Sequence, residues 1–337
     1  MSVSESVLVT GGAGYIGSHV VHALRDRGQR CVVVDDLSFG HRDVVPEDVP
    51  LVVGDVGDLA LVDRLLREHK VDAVVHLAGA ILVAESVVDP LKYYQRNTAA
   101  AATLLQACHA AGVGRFVFSS TAAVYGAPAT VPIPETAQLA PINPYGRSKL
   151  AVEWMLADAA QAGLLRYLAL RYFNVAGADQ GLRTGEWRPK ASHLINVACE
   201  AALGLRASMT INGTDFPTRD GTCIRDYVHV ADLAAAHLAA LEHTATAAAG
   251  HTPLNLGSGD GFSNRQLLAA AERITGRPVP HSIGPRRPGD PAVLVASNQR
   301  AREVLGWTPR WSSLDEMIGS AWRWRQAHPP GFGADSG

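Results

Sequence analysis

A tyrosine and a lysine four residues apart, Tyr145 and Lys149, have side chains that together could move a proton. They lie in the stretch NPYGRSKLAVEWM. Residues at positions i and i+4 share one face of a helix, so the phenol and the ammonium would lie side by side. A neighbouring ammonium favours the phenolate and lowers its pKa from about 10 toward neutrality. The pair would then serve as a general acid and base. The same spacing also occurs in helices where a half-buried tyrosine merely sits beside a solvated lysine.

The strand that precedes this helix ends in hydroxyl side chains. In RFVFSSTAAVYG, the residues Ser119, Ser120 and Thr121 close a run of aromatic and β-branched residues. Ligands of open α/β folds bind at the carboxyl ends of the strands, so these hydroxyls would face the same site as Tyr145. We expect Thr121 to bridge the phenol and a substrate. Ser119 and Ser120 fit equally well as caps of the next element.

A nucleotide site is indicated close to the N-terminus. Gly11, Gly14 and Gly17 follow the strand SVLVT and open a helix. Glycines there let the backbone approach a pyrophosphate, whose charge is held by the N–H groups of the helix N-terminus. Asp35 ends the second strand 18 residues after Gly17, near the spacing of about 20 residues typical of a carboxylate that binds the ribose hydroxyls. This carboxylate repels a 2′-phosphate and no arginine directly follows it, so NAD is predicted rather than NADP. The alternative for Asp35 and Asp36 is a solvated turn.

The elements that would position these groups follow a β-α-β-α rhythm. SVLVT, CVVVD, LVVGD, AVVHLAG and RFVFSS are short, rich in valine or phenylalanine, and separated by segments with helical spacing. A sixth strand, LRYLALRYFN, follows the Tyr145 helix. Near-continuous apolar strands are typical of a parallel sheet covered on both faces. Right-handed crossovers then leave a doubly wound, Rossmann-like α/β fold as the simplest topology.

The rhythm changes to longer irregular segments after residue 178. We expect an NAD-binding Rossmann-like domain over residues 1–178. A smaller second region, which closes over the carboxyl ends of the strands, is expected over 179–328, with returns to the first domain in places. Residues 329–337 are expected to form a flexible tail.

Composition argues against several classes of protein. The 337 residues are 47% hydrophobic and 18% charged, as in a globular protein of enzyme size. A net charge of −2 without long runs of one sign offers no basic surface to nucleic acid or an anionic membrane. The four cysteines are scattered, so we expect neither a metal site nor a disulfide framework. No signal peptide or membrane span is apparent, which favours a cytoplasmic location.

These motifs together resemble those of the extended short-chain dehydrogenase/reductases, and within them the UDP-glucose 4-epimerases. The likeness runs from GGAGYIGSH through DDLSFG, HLAG, AESVVDPLKYYQRN, SSTAAVYG, NPYGRSK and RYFN to DGTCIRDYVHVADLA, NLGSG and RRPGDPAVLVA. GGAGYIGSH and DGTCIRDYVHVADLA are specific, whereas Tyr-x-x-x-Lys marks only the superfamily. The resemblance implies reversible inversion at C4 of UDP-glucose and UDP-galactose through a 4-keto sugar, with tightly bound NAD recycled in each turnover.

Two sets of ligand contacts follow from the motifs and the resemblance. The expected cofactor contacts are Gly11, Gly14, Tyr15, Ile16, Gly17, Asp35, Asp36, Leu37, Ser38, Gly40, Asp55, Val56, Leu77, Ala78, Gly79, Asn97, Ser119, Tyr145, Lys149 and Phe173. The expected contacts of the nucleotide sugar are Thr121, Tyr145, Asn174, His193, Leu194, Thr210, Ile211, Asn212, Arg225, Arg287, Asp290 and Leu294. Guanidinium groups suit this task because they pair bidentately with phosphate oxygens. A surface salt bridge is the alternative for either arginine.

Several positions depart from the usual pattern of that family. Ala80 and Ile81 stand where many members carry a lysine after AG, so one cationic cofactor contact is absent. His193 replaces a frequent asparagine, and Asn196 replaces a frequent proline. Leu294 stands where the resemblance places a gate for substrate size, either a tyrosine or a small residue. Its intermediate volume leaves activity on N-acetylated sugars open.

Other functions fit parts of the same pattern. A nucleotide-sugar 4,6-dehydratase needs an Asp-Glu pair after the strand-end threonine, and here Ala122 and Ala123 follow Thr121. A silent NAD-binding regulator would not need the set of Thr121, Tyr145 and Lys149, and a plain dehydrogenase would release NADH. The resemblance also implies a homodimer built through the helices in DPLKYYQRNTAAAATLLQACHAAG and SKLAVEWMLADAAQAG. These helices could equally pack only on their own sheet.

Overall fold

The valine-rich segments form buried strands in the computed structural model, which describes residues 6–188, 193–246, 251–287 and 290–329. All residues of the first strand are buried, as expected where helices cover both faces of a sheet. The strands are β1 (Ser6–Thr10), β2 (Arg30–Asp35), β3 (Leu51–Val53), β4 (Val71–His76), β5 (Arg115–Thr121), β6 (Arg166–Tyr172), β7 (Asn174–Ala176), β8 (Met209–Asn212), β9 (Ile224–His229), β10 (His251–Leu256), β11 (Gly261–Ser263), β12 (His281–Gly284) and β13 (Val293–Leu294).

Seven of these strands form one parallel sheet in the order β3-β2-β1-β4-β5-β6-β10. Val9 of β1 lies between Val33 of β2 and Val75 of β4. The strand order reverses between β1 and β4, and open α/β sheets bind ligands at such a switch point. The predicted doubly wound α/β fold is confirmed.

Helices cover both faces of this sheet. The helices in the described part of the chain are α1 (Tyr15–Asp26), α2 (Leu59–Glu68), α3 (Val83–Val88), α4 (Pro90–Tyr93), α5 (Ala100–Ala111), α6 (Pro144–Gln161), α7 (Leu194–Leu203), α8 (Val230–Thr246), α9 (Asn264–Thr275), α10 (Gln299–Leu305) and α11 (Leu314–Ala327). On one face, Leu24 of α1 and Leu233 of α8 belong to the same apolar core. On the other face, the core includes Leu65 of α2, Leu104 of α5 and Leu156 of α6. A π-helical segment, Tyr94–Ala99, joins α4 to α5.

The expected sixth strand is in fact two strands in two sheets. β6 ends at Tyr172, and Asn174 begins β7, which pairs with β9 instead of the main sheet. The Asn174 side chain donates to the backbone oxygen of Asp226 in β9 at 2.9 Å, which ties the chain to the second sheet. That sheet contains β7, β9, β11 and β13. Its helices α7, α9 and α11 share a third apolar core.

The chain also returns to the first sheet after residue 178. Helix α8 packs beside α1, and β10 pairs with β6, with Leu254 opposite Leu170. β10 was not among the predicted strands; it contains Pro253, which is tolerated at the edge of a sheet. Residues 330–337, most of the predicted tail, lie outside the described residues.

Three further features bear on the functional classes considered above. Among the described helices, none combines the length and apolar character that a membrane crossing requires. Over the same residues, no cluster of three or more His, Cys, Asp or Glu side chains is placed to hold a metal ion. The four cysteines are free thiols, and all are buried.

Candidate active site

Helix α6 begins where its capping residue requires, and this places the tyrosine and lysine. The Asn143 side chain accepts from the backbone N–H of Gly146 at 2.8 Å and caps the helix. Tyr145 therefore lies in the first turn and Lys149 in the next. Both line one cleft together with Thr121 at the end of β5. The structure thus brings the three predicted catalytic residues together.

Lys149 is a buried ammonium with donors to spare. Its side chain is 2% exposed, and its Nζ donates to the backbone oxygen of Ser119 at 3.0 Å. Burial lowers the pKa of Lys149 to about 8. Within the described residues, the other two N–H groups of Nζ have no hydrogen-bond partner. A Cβ at Gly79 would lie 2.7 Å from the Asn97 Oδ1 and 3.7 Å from Nζ, so a larger residue here would clash with Asn97.

The Tyr145 phenol is not yet a base in this structure. Burial raises the pKa of Tyr145, and the hydrogen bond with the Thr121 hydroxyl lowers it in part. The expectation that the pKa of Tyr145 falls toward neutrality is wrong here, because burial raises it. A phenolate at this position would need stabilisation by a neighbouring positive charge or hydrogen-bond donor.

A second phenol in the same cleft was missed from the sequence. Tyr172, the last residue of β6, lines the cleft and hydrogen-bonds the Ser119 hydroxyl. Burial raises the pKa of Tyr172, and the nearby Tyr145 adds to that rise. Ser119 is thus held by Tyr172 through its hydroxyl and by Lys149 through its carbonyl. The motif RYFN, which supplied Phe173 among the expected contacts, was the available signal.

A buried ion pair supports the site from behind. Arg171 of β6 donates bidentately to the Glu153 carboxylate of α6, with the Arg171 Nε at 3.0 and 3.2 Å from its two oxygens. Ser120 donates to the same carboxylate, so its hydroxyl serves the core rather than the cleft. Arg171 also donates to the Tyr125 hydroxyl at 2.9 Å. These bonds lock β5, β6 and α6 together and hold Thr121 relative to the catalytic helix.

The glycine turn leaves room for an anionic group at the N-terminus of α1. Gly11 has a φ of 70°, and a Cβ on Gly17 would lie only 2.0 Å from the Gly11 carbonyl oxygen. Larger residues therefore cannot form this turn. Gly14 caps the helix without a side chain, and the first N–H groups of a helix have no partner within it. Backbone donors in a cradle without side chains fit the pyrophosphate of a dinucleotide.

Asp35 is a buried carboxylate that holds the neighbouring loops. Its two oxygens accept from the backbone N–H groups of Leu37 at 2.9 Å and of Ala13 at 3.0 Å. Burial raises the pKa of Asp35, and these two hydrogen bonds lower it in part. Each carboxylate oxygen can accept more than one hydrogen bond, so the group can still bind ribose hydroxyls.

Folding brings an arginine to this end of the cleft that the sequence did not predict. Arg96, from the π-helical segment, lies 2.5 Å from an oxygen of Asp36 and 3.4 Å from one of Asp55. It comes from 60 residues beyond Asp36 in the chain, so a search for an arginine directly after Asp35 could not find it. Two carboxylates share its charge, which leaves little attraction for a 2′-phosphate.

We predict that Asp35→Ala lowers the preference for NAD over NADP. The change removes the acceptor for the ribose hydroxyls and the charge that repels a 2′-phosphate, while Arg96 stays nearby. A lost hydrogen bond to a charged group corresponds to roughly a tenfold or larger change in the ratio of the two dissociation constants. Calorimetric titration of both variants with NAD and NADP measures that ratio. Equal or tighter binding of NADP by the unmodified protein would contradict the assignment of Asp35.

Most of the expected cofactor contacts line this one cleft. They are Gly11, Gly14, Tyr15, Ile16, Gly17, Asp35, Asp36, Ser38, Gly40, Asp55, Val56, Leu77, Ala78, Gly79, Ser119, Tyr145, Lys149 and Phe173. Leu37 packs against an apolar core instead. Asn97 lies behind the cleft wall, where its side-chain oxygen accepts from the Ala80 N–H at 2.7 Å and its amide donates to Ser148 at 3.0 Å. The π-helical segment, a feature frequent at functional sites, positions this amide.

The expected nucleotide-sugar contacts fall into two groups. Asn174 and His193 line the cleft together with Thr121 and Tyr145. The others lie on β8, β9 and β13, on the segments before β13, and at the start of α7; they are Leu194, Thr210, Ile211, Asn212, Arg225, Arg287, Asp290 and Leu294. The Ile211 side chain is 2% exposed and packs in the third core, so only its backbone can face a ligand.

The second group contains two arginines, each held by a neighbour. Arg225 of β9 forms an ion pair with Asp290, and Leu294 of β13 lies opposite Arg225 in the strand register. With its amide oxygen turned toward the guanidinium, Asn212 accepts from Arg287 at 3.1 and 3.3 Å. Both guanidinium groups are thus positioned before any ligand binds.

Known proteins similar to this chain include enzymes of one family and structures with bound NAD. Residues 7–257 match the NAD dependent epimerase/dehydratase family. A UDP-glucose 4-epimerase of Azospirillum brasilense is 56% identical over 326 residues, which cover 97% of this chain and 93% of that relative. The crystal structure of UDP-glucose 4-epimerase from Brucella ovis in complex with NAD is 45% identical with a TM-score of 0.92, covering 95% of this chain and 98% of that one.

A structure with both kinds of ligand extends the likeness. The UDP-glucose 4-epimerase from Bifidobacterium longum in complex with NAD+ and UDP is 37% identical with a TM-score of 0.91, covering 97% of this chain and 100% of that one. The family match covers most of the chain, and the similar proteins are aligned over nearly all of it. The chain therefore belongs to the NAD dependent epimerase/dehydratase family.

Proposed function

We propose that this protein reversibly inverts C4 of UDP-glucose and UDP-galactose and recycles bound NAD in each turnover. The proposal rests mainly on one observation: Thr121, Tyr145 and Lys149 line the same cleft as the glycine turn and Asp35. The names of the similar proteins support the reaction, and NAD complexes among the similar structures support the cofactor.

Different residues of this cleft would contact different parts of the cofactor. In our proposal the glycine turn holds the pyrophosphate, Asp35 holds the adenine ribose, and Lys149 and Phe173 contact the nicotinamide end. Bound NAD would supply the group that takes up a hydride from C4 of the sugar and gives it back. NAD is therefore regenerated in each cycle, and no net oxidation of the sugar occurs.

In our proposal, the protein's own side chains transfer the proton of the 4-hydroxyl. Tyr145 takes this proton as the hydride leaves and gives it back when the hydride returns. Thr121 hydrogen-bonds the same phenol and orients it. Lys149, charged below its pKa of about 8, has the donors needed to stabilise the phenolate that Tyr145 must become.

Inversion also requires the sugar to turn while the nucleotide stays bound. We propose that Arg225 and Arg287 hold the UDP, because guanidinium groups form strong bidentate pairs with phosphate. Arg225 is paired with Asp290 in this structure, so a bound diphosphate would replace that carboxylate as its partner. Strong contacts to UDP and weak contacts to the sugar let the 4-keto sugar present either face to the cofactor.

A homodimer and a cytoplasmic location are further parts of the proposal. Large apolar side chains are exposed on α3, α4 and α6, and they are Val87, Val88, Leu91 and Trp154, with exposed fractions of 65%, 86%, 76% and 61%. A cluster of exposed apolar residues is typical of an interaction surface. Its position on or next to the two expected interface helices supports pairing of two copies there.

The dehydratase alternative is not favoured. The 3-10 turn Ala122–Tyr125 follows Thr121 directly, and the Ala123 N–H donates to the Thr121 hydroxyl oxygen at 3.1 Å. Neither Ala122 nor Ala123 can supply the acid and base that elimination of water across C5 and C6 requires.

The proposed reaction is tested by NMR analysis of the products that the purified protein forms from UDP-galactose without added NAD. We expect UDP-glucose to form until equilibrium is reached, with no NADH in solution. Accumulating NADH would indicate a dehydrogenase, and a 4-keto-6-deoxy sugar would indicate a dehydratase. An unchanged sugar, with NAD bound to the protein, would indicate a silent NAD-binding protein.

Substrate breadth provides a second test, because we propose that Leu294 faces the C2 substituent of the sugar. Leu294 and Phe173 are both partly buried and pack against a small apolar cluster that contains Tyr125 and Leu150. We predict good turnover of the plain UDP-hexoses and slow turnover of UDP-GlcNAc and UDP-GalNAc. Leu294→Cys should raise activity on the N-acetylated sugars, because it makes room for the acetamido group, whereas Leu294→Tyr should abolish it and spare the plain hexoses.

The ratio of the two activities separates this gate from simple packing. Overpacking alone costs roughly 1–3 kcal/mol of stability and lowers both activities together. A ratio that is the same for Leu, Cys and Tyr at position 294 would show that this residue does not select substrates.

A further inference from the structure

Residues 179–188, which we name the α1 strap, run along helix α1 toward its N-terminus. The hydroxyls of Thr184 and Ser18, both fully buried, are 2.6 Å apart and join the strap to the helix. The Trp324 indole donates to the backbone oxygen of Glu186 at 3.1 Å. A Cβ on Gly185 would lie 2.5 Å from the Trp324 ring, so the strap packs closely at this point. The strap is therefore a fixed part of the fold.

Arg188, at the end of the strap, lines the cofactor cleft. Its side chain is 10% exposed. The guanidinium lies 6.0 Å from the ring centroid of Phe39, which lines the same cleft in the loop after β2. Burial raises the pKa of the Tyr15 phenol, and the nearby charge of Arg188 opposes that rise. Tyr15 is the first residue of α1, and the glycines that precede it line the same cleft as Arg188.

The guanidinium of Arg188 is oriented but not saturated. Its Nε and NH2 groups donate to the two oxygens of Glu186 at 2.9 and 3.1 Å. Glu186 is buried, and the Nδ1 of His193 lies 2.8 Å from one of its oxygens. Across the described ranges of the chain, the NH1 group of Arg188 has no hydrogen-bond partner. The carboxylate thus holds the fork in place and leaves donors for a ligand.

The other cations that line the cleft have different positions or partners. Lys92 and Arg96 are each paired with carboxylates. Lys149 lies at the catalytic end, and the wall residue Ile81 is apolar. A dinucleotide diphosphate carries two negative charges, which helix N–H groups neutralise only in part. Arg188 is paired with Glu186, as Lys92 and Arg96 are with their own carboxylates, but its NH1 group still has donors to offer the diphosphate.

We propose that Arg188 is a cofactor-binding residue whose guanidinium pairs with the diphosphate of bound NAD. The inference rests on NAD as the cofactor in the proposed function. Phe39 and Tyr15, which lie near Arg188, line the cofactor half of the cleft, so we assign the ligand as the diphosphate of NAD. His193, an expected contact of the nucleotide sugar, bonds the same Glu186, and a titration with UDP tests that alternative. Arg188 would then perform the role that Ile81, where many family members carry a lysine, cannot.

The test measures ligand affinity, not turnover. The double variant Glu186→Gln/Arg188→Gln keeps a hydrogen-bonding pair of similar size and leaves no unpaired buried charge. Calorimetry on the full chain, freed of NAD, gives dissociation constants for NAD, ADP, adenosine and UDP. We expect NAD and ADP to bind about 10- to 100-fold more weakly to the double variant, as for loss of a charge-assisted hydrogen bond. Adenosine and UDP should bind unchanged.

Two single variants complete the comparison. Glu186→Gln keeps the Arg188 guanidinium, so NAD and ADP should bind at least as tightly as to the parent. Arg183→Gln removes a guanidinium from the same strap that pairs with Asp26 and Asp179 outside the cleft, and it should leave every affinity unchanged. If the double variant does not fold, Arg188→Lys keeps the charge beside Glu186 but loses the NH1 donors. We then expect ADP affinity to fall roughly three- to tenfold.

Three results would overturn the proposal. They are unchanged ADP affinity in the Arg188 variants, an equal loss for adenosine and ADP, and a loss for UDP without one for ADP. The first would show that Arg188 does not contact the diphosphate of NAD. The second would indicate that Arg188 has a purely structural role, and the third would indicate that it contacts the diphosphate of the UDP-sugar. None of them bears on the sugar interconversion, which is measured separately by NMR, so failure of this inference is distinguishable from failure of the proposed function.

Discussion

Turnover of UDP-galactose should fall about 10²- to 10⁴-fold in Tyr145→Phe, while the fold and the bound cofactor remain. Only the phenolic oxygen is deleted, and this atom is the one that the mechanism uses to take and return the proton. Its hydrogen bond within the protein is to Thr121, so little stability depends on it. Absorbance and calorimetry on the purified variant measure bound NAD, and the NMR assay measures turnover.

A matched control lies against the same ring. Tyr93 packs edge to face on Tyr145, with ring centroids 6.3 Å apart. Its hydroxyl oxygen lies 2.6 Å from the Leu82 carbonyl oxygen and 2.8 Å from a Glu85 carboxylate oxygen, and its one proton is donated to this pair of acceptors. Tyr93→Phe deletes the same atom and should keep turnover within a few-fold of the parent. Comparable turnover in Tyr145→Phe and the parent would assign the proton transfer to another residue.

Lys149→Met should lower turnover by about 10²-fold or more and at the same time stabilise the NAD-free protein. The loss of rate follows from removing the ammonium that stabilises the phenolate. The gain in stability follows from removing a charge whose burial is costly. The lowering of the Lys149 pKa from 10.5 to about 8 corresponds to roughly 3 kcal/mol at 1.36 kcal/mol per pKa unit. The lost hydrogen bond to Ser119 offsets about 1 kcal/mol of that gain.

The stability gained by Lys149→Met should decrease as pH rises. Between pH 8 and 10.5 the unfolded chain binds a proton at Lys149 that the folded chain does not, so the stability of the parent rises with pH through this window. Below pH 8 both states are protonated and the full cost of burial is present. The advantage of Lys149→Met should therefore be largest at pH 7 and nearly gone at pH 10.5. Turnover of the parent should fall as pH rises above 8, because the ammonium loses its proton.

Denaturant unfolding of the NAD-free proteins at several pH values measures both effects. Lys92 provides the control for stability, because it is 35% exposed and paired with Glu85. Lys92→Met should lower the free energy of unfolding by at most about 1 kcal/mol, opposite in sign to the change at Lys149. A Lys149→Met variant that is less stable than the parent at pH 7 would contradict the description of Lys149 as a costly buried charge.

Most of the main sheet could be predicted because its strands can be recognised from their own residues and the turns that flank them. The valine-rich runs of β1 and β2 and the run that ends at Thr121 are short, apolar and bounded by turns. β10 could not be predicted in this way, because Pro253 is compatible only with the edge position that the tertiary fold provides. The break between Tyr172 and Asn174 is also set by the fold, since it depends on the partner strand β9.

The candidate site shows the same division between local and long-range information. Tyr145, Lys149 and Thr121 were found from spacing, from a strand end and from family motifs. Arg96 and Arg188 could not be found in this way, because they lie on segments far from the motifs in the sequence and reach the cleft only through folding. The direction of the Tyr145 pKa shift also escaped prediction, because spacing places a lysine nearby but does not say how deeply the phenol is buried or which group the ammonium contacts.

In the proposed reaction, the hydride removed from C4 returns to C4 of the same sugar within one site. Incubating the protein with UDP-galactose deuterated at C4, without added NAD, follows this hydride. We expect UDP-glucose that carries the deuterium at C4, with none released to water and no NADH in solution. UDP-glucose with hydrogen at C4, or deuterium recovered in free NADH, would contradict the proposed reaction.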